Sequence, residues 1–224
     1  MEHTTMSAQS REDLIASLTE DLTPVKRVTP QQGAALITFG AMLSGLACIA
    51  IFGFWTGMFQ GQASPFFWIA NGLLAITGAA STAALAAIGT PRVGTRGAAP
   101  FWSAAMLGIM PLTAIISYLT LEAGHVHTAD LMQPTMADLK CAACSLAASA
   151  FVGIAAVVYL RRSAPVSLER AGWLTGLASG SLGALAYGLT CPLDTITHLG
   201  MYHVLPVAAA AVIMRYAVPP LIRW

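Results

Sequence analysis

Apolar residues run through most of this chain with few interruptions, and the breaks between runs are short and charged. Asp, Glu, Lys and Arg are absent from 28–91, 97–121, 141–160, 171–193 and 195–214. A charge at the centre of a bilayer costs several kcal/mol, so long charge-free apolar runs mark membrane spans. One span takes about 20 residues. The first run has room for two spans with a turn between them, and each of the others has room for one. The pattern predicts six transmembrane helices, at about 33–54, 66–88, 99–120, 141–160, 172–190 and 197–216. A soluble bundle would carry a polar stripe on each helix, and none of these segments has one. The fold class is therefore all-α, a polytopic membrane protein divided into a tail over 1–30 and a six-helix membrane domain over 31–224.

Composition agrees. Of the 224 residues, 56% are hydrophobic and only 9% charged, which is the membrane class. A net charge of +1 argues against a direct nucleic-acid binder, which would show a basic patch. Residues 1–32 are polar and mixed in charge without an apolar h-region, so the first span is expected to serve as an uncleaved anchor. The ending Leu221-Ile222-Arg223-Trp224 is not a prenylation box. If the helices alternate, every Lys and Arg except Lys140 falls on one side. Positive charge stays cytoplasmic, which places both termini inside.

Within the bundle, Gly172, Gly176, Gly180, Ala184 and Gly188 form a row of small residues at every fourth position. Such a row lets a neighbouring helix come close. Pro111 and Pro206 are expected to kink their helices. Asn71, Thr77, Ser81, Ser103, Thr113, Ser117, Ser145, Ser149 and Ser179 read as interhelical hydrogen-bond partners. No carboxylate lies mid-span, which argues against ion-coupled transport.

The tail predicts a short amphipathic helix. Ser10 can cap it, with Glu12 and Asp13 in its first turn. Leu14, Leu18 and Leu22 repeat at four residues with Ile15 on the same face, and Pro24 ends the helix near Thr23. Three turns are marginal alone in water, so the helix needs a surface. The protein's own inner loops, the bilayer and an apolar groove on a partner all compete for it.

The predicted outer face gathers the reactive side chains. Cys141 and Cys144 begin span four and Cys191 ends span five, while Cys48 lies within the bilayer as a packing residue. Cys141 and Cys144 form C-x-x-C one helical turn apart, a spacing that does not close on itself without distortion. Cys191 can pair with either of them in an oxidising compartment. His125, His127, His198 and His203 share this face, and thiolates with imidazoles suit a transient soft metal such as zinc or cadmium. Nothing else in the chain calls for a cofactor. One enzymatic reading exists, a membrane thiol oxidoreductase passing electrons from these cysteines to quinone. Such enzymes use a second cysteine pair, and only Cys191 remains outside.

Several segments resemble the NrsF-type membrane anti-sigma factors. Asp13-Leu14-Ile15-Ala16-Ser17-Leu18 followed by Asp21-Leu22-Thr23-Pro24-Val25 is similar to their amino-terminal motif. Leu160-Arg161-Arg162-Ser163-Ala164-Pro165 is similar to their loop after span four. Ala186-Tyr187-Gly188-Leu189-Thr190-Cys191-Pro192-Leu193-Asp194 is similar to their motif at the end of span five, and Arg223-Trp224 also fits. Thr190 stands where such proteins often carry His, and Cys141 and Cys144 both stand near the position of a single family cysteine. The resemblance implies a non-enzymatic regulator at the bacterial inner membrane. It implies that Asp13, Leu14, Ile15, Leu18, Asp21, Leu22, Pro24 and Val25 bind an extracytoplasmic-function sigma factor. It also implies that Cys141 (or Cys144) and Cys191 sense the stress that releases it.

Overall fold

The computed structural model describes residues 8–20, 28–90, 97–122 and 135–223, and among these no strand occurs. The helices are α1 (Ala8–Glu20), α2 (Pro30–Phe52), α3 (Pro65–Ile88), α4 (Ala99–Glu122), α5 (Met136–Leu160), α6 (Leu168–Gly188), α7 (Ile196–His198) and α8 (Leu205–Ile222). A π-helical segment, Leu199–Val204, joins α7 to α8, so Ile196–Ile222 is one continuous helix.

Local sequence explains most of the starts. Thr29 accepts from the Gln32 backbone while the Gln32 side chain reaches back to Thr29, and Pro30 fills the first helical position. Ser64 caps α3 ahead of Pro65. Thr135 and Asp138 make a second capping box. It starts α5 at Met136, five residues before the expected span, and draws Asp138 and Lys140 into the helix. The tail helix starts at Ala8, so Ser10 lies inside it rather than at its cap, and no acid occupies the first turn. Ala8 and Gln9 favour helix and extend it backwards.

Among the described residues, five helices are long and apolar enough to cross a membrane: Pro30–Phe52, Pro65–Ile88, Ala99–Ile116, Met136–Leu160 and Ile196–Ile222. The expected sixth, α6, is a helix of 21 residues but is not apolar enough. The reason lies in its position. It packs against α2, α3, α5 and α8, and from Ala171 to Gly188 only Trp173, Leu182 and Leu185 are not fully buried. A helix walled in by protein needs small and hydroxylated residues for close approach, not large apolar ones for lipid. The outer helices instead expose Phe39, Leu46, Trp68, Ile76, Leu112 and Ile154.

The small-residue row of α6 packs on α8. A Cβ at Gly172 would lie 2.8 Å from the Met214 carbonyl oxygen, and one at Gly180 would lie 3.0 Å from Val207 Cα. One at Gly176 would overlap Ala211. Four of the hydroxyls expected to bridge helices turn back on their own. Ser103, Thr113, Ser149 and Ser179 donate to carbonyls three or four residues earlier. The bridges come from elsewhere: Ser44 donates to the Ala148 carbonyl at 2.9 Å and Tyr159 to that of Ala86 at 2.7 Å. Pro111 lies inside α4, whereas Pro206 opens α8. Pro206 has no N–H for the Tyr202 carbonyl, and the turn before it widens into the π-helical segment.

The bundle has two ends. At the near end, where α2 begins, Arg170 donates to the Gly97 carbonyl at 3.0 Å and Arg215 pairs with Glu169 at 2.7 Å. At the far end, the Ser64 backbone and hydroxyl bind Asp194, and Trp55 N–H donates to the Leu189 carbonyl.

Candidate functional site

Two features stand apart from the packing of the bundle. The first is α1. Leu14, Ile15 and Leu18 are 48%, 61% and 64% exposed, although they form one apolar stripe at helical spacing. Every residue from Ser10 to Glu20 is exposed, Asp13 included, so the described bundle does not cover this stripe. Asp21, Leu22, Pro24 and Val25, expected to extend it, lie outside the described residues.

The second is a cluster at the far end. Cys141 sits in the second turn of α5 and Cys191 in the loop after α6, and their sulfurs are 3.6 Å apart. Both are free thiols and both are buried. Cys191 Sγ is 3.5 Å from Nε2 of His198, whose Nδ1 is 2.6 Å from Oδ1 of Asp138. The Tyr187 hydroxyl lies 3.7 Å from Cys141 Sγ, and the Tyr187 ring stacks on His203. His203 also meets the His198 ring edge-on at 5.2 Å. The sulfur of Cys141 and burial together hold the Cys191 thiol above its ordinary range.

Three elements build this cluster. The Thr135–Asp138 capping box sets the start of α5 and places Asp138 one turn before Cys141, on the same face. The end of α6 delivers Cys191. Thr195 caps α7 and turns His198 inward. His203 follows five residues later, a spacing that an ordinary α-helix spreads over different faces. The wider π-helical turn brings both imidazoles to the same place.

The structure therefore unites four of the residues singled out from sequence: Cys141, Cys191, His198 and His203. Cys144 is only partly buried and packs against the edge of the cluster beside Cys48. The C-x-x-C spacing does not make a pair, because the partner of Cys141 is Cys191. His125 and His127 lie outside the described residues. Three neighbours are not among the residues that the sequence assigns to this cluster. Asp138 follows Thr135 by three residues, and that capping-box spacing is the signal that would have tied it to the start of α5. Tyr187 stood within a motif. Asn71 was one of the polar residues expected to bridge helices, and among the described residues its Oδ1 is a buried acceptor without a partner.

The comparisons with known proteins fit this architecture. Residues 18–224 match the family model described as negative regulator of sigma F. The chain is 28% identical over 223 residues to the anti-sigma-F factor NrsF of Caulobacter vibrioides (strain NA1000 / CB15N), covering 95% of this chain and 99% of that protein. No solved structure matches.

Proposed function

The chain belongs to the NrsF family of negative regulators of sigma F, and on that premise we propose that it tethers a sigma factor of the extracytoplasmic-function type to the bacterial inner membrane through α1. In this reading six helices span the bilayer, with α6 as the enclosed one and both termini in the cytoplasm. Residues 1–30 form the binding tail and 31–224 the sensor. The partition of charge supports that orientation: Arg161, Arg162, Arg170 and Arg215 belong to the near end, and Lys140 to the far end.

The observation that carries the proposal is the uncovered stripe of Leu14, Ile15 and Leu18. An amphipathic helix that short is marginal in water and gains its order from a groove on a partner. Asp13 and Glu12 beside the stripe suit a basic protein surface, such as that of a DNA-binding partner.

Release starts at the far end. A two-electron oxidant such as a peroxide converts the Cys141 and Cys191 thiols to a disulfide, with both protons leaving as part of two waters. A strongly thiophilic ion such as cadmium can instead take the same sulfurs. Either event changes how α5 meets the loop after α6. Because α6 is closely packed on α8, the change reaches the near end, where Glu169 and Arg170 hold Arg215 and Gly97. To move the sigma factor from 99% bound to 1% bound, the signal must supply about 5.5 kcal/mol of differential stabilisation. A disulfide or a metal site is of that order.

The test is co-purification. The full-length chain should retain the sigma factor, and Leu18→Asp should lose it while the protein stays folded. Retention by Leu18→Asp would remove α1 as the tether.

A further inference from the structure

Four buried side chains at the far end meet the geometric demands of one metal ion. A ligand atom from each of Cys141, Cys191, His198 and His203 lies within 4.8 Å of all the others. With Zn–S near 2.3 Å and Zn–N near 2.0 Å, a tetrahedral zinc holds its two sulfurs about 3.8 Å apart and each sulfur about 3.5 Å from each nitrogen. Here the sulfurs are 3.6 Å apart, and Cys191 Sγ is 3.5 Å from His198 Nε2. Any pair still too wide needs to close by about 1.5 Å at most.

A second observation is independent of those distances. His203 is 1% exposed, and neither of its ring nitrogens has a hydrogen-bond partner among the described residues. An imidazole buried with both nitrogens idle is costly to keep, and the cost is removed if one of them binds an ion.

We propose that the chain carries a resident zinc(II) ion bound by Cys141, Cys191, His198 and His203. The proposal deepens the reading of this cluster as the signal-receiving end, and it makes the resting state reduced and metal-loaded. Binding zinc releases one proton from each thiol. Two thiolates then balance the two positive charges of the ion, and a neutral centre suits a buried site. Copper(I) would leave the same centre negative, and it favours fewer ligands than the four gathered here.

The surroundings are those of a metal site. His198 gives Nε2 to the cluster while Nδ1 faces Asp138, the carboxylate–histidine arrangement that orients a ligand. For His203 the counterpart acceptor would be Asn71, whose Oδ1 is likewise unpartnered among the described residues. A Cβ on Gly188 would lie 2.6 Å from Asn71 Oδ1 and 3.7 Å from His203 Nδ1, so both orphaned atoms flank the same point. With Nδ1 turned to Asn71, Nε2 is left for the ion. Such a centre would clamp α5, the loop after α6 and the start of Ile196–Ile222 together. A more thiophilic ion or an oxidant would undo or reshape the clamp.

The experiment uses the full-length chain in lipid nanodiscs, prepared without chelator and equilibrated with zinc. Elemental analysis should find about one zinc per chain, and X-ray absorption should find two sulfurs near 2.3 Å and two nitrogens near 2.0 Å. Cys191→Ser and His203→Ala should each lower zinc occupancy at limiting metal by about tenfold or more. A second arm needs no variant: chelation of the unaltered chain should make Cys141 and Cys191 alkylate faster while Cys144 changes little. Less than about a tenth of a zinc per chain, a different resident metal, zinc retained by Cys191→Ser, or thiols indifferent to chelation would each overturn the proposal. A zinc-free chain that still holds its sigma factor, and loses it on Leu18→Asp, would discard the zinc and leave the tether standing.

Discussion

Asp138 Oδ1 lies 2.6 Å from Nδ1 of His198, sixty residues further along the chain. The same side chain completes the capping box that starts α5. One carboxylate therefore sets where α5 begins and how His198 presents Nε2 to Cys191 at 3.5 Å. Asp138→Asn keeps the shape but removes the charge that holds Nδ1–H. We expect zinc affinity to fall about 10- to 100-fold, read by competition with a chromogenic chelator. Affinity unchanged by Asp138→Asn would mean that the contact does not orient the ligand.

The pairing of sulfurs is specific. Cys141 and Cys191 need to close from 3.6 Å to a bond of about 2.05 Å. Mild oxidation of the metal-free chain should link these two, as shown by mass spectrometry of unreduced peptides. Cys144→Ser should leave the link intact, and Cys141→Ser should abolish it. A Cys144–Cys191 link in the unaltered chain would contradict the arrangement described.

Binding by α1 should concentrate in its stripe. Leu18 is 64% exposed, so Leu18→Asp removes no internal packing. If Leu18 anchors the interface, the change costs about 2 kcal/mol or more of binding, roughly a 30-fold loss of affinity. The thermal midpoint of the detergent-solubilised protein should stay where it is.

The α6–α8 seam gives a contrast between two glycines. A Cβ at Gly176 would overlap Ala211, whereas one at Gly45 meets nothing within 4 Å. Gly176→Val should destabilise the bundle by about 1–3 kcal/mol, the usual cost of overpacking, and lower the thermal midpoint. Gly45→Ala should leave it unchanged or raise it slightly, since Ala is the better helix former.

How much of this could be read from residues alone depended on what each element faces. The outer helices announce themselves because lipid demands large apolar side chains, and their charge-free runs match α2, α3, α4, α5 and Ile196–Ile222. The row from Gly172 to Gly188 was legible as a seam, and the structure supplies α8 as its partner at Gly172, Gly176 and Gly180. Its consequence was harder to see: a helix made of such residues sits at the centre and falls short of the apolarity that a lipid-facing span requires. Cys141 and Cys191 were legible as neighbours because both lie at one end of adjacent helices.

His198 and His203 were legible as residues of one face, but their alignment side by side was not, because α-helical periodicity separates residues five apart. Only the π-helical turn ahead of Pro206 aligns them, and nothing in the local spacing of polar residues announces it. Asn71 was equally hidden. It belongs to α3, and its nearness to His203 is created by the packing of α3 on α6 at Gly188. The extent of α5 and α1 was missed by a few residues for a simpler reason: capping and helix propensity act on polar residues that hydropathy ignores.

The link between the two ends can be measured in one preparation. The full-length chain in nanodiscs, loaded with its sigma factor, is treated with a thiol oxidant, and the bound fraction is followed alongside Cys191→Ser. Release from the unaltered chain with retention by Cys191→Ser is the predicted result. Retention by both, or equal release from both, would contradict the claim that the far-end thiols govern the grip of α1.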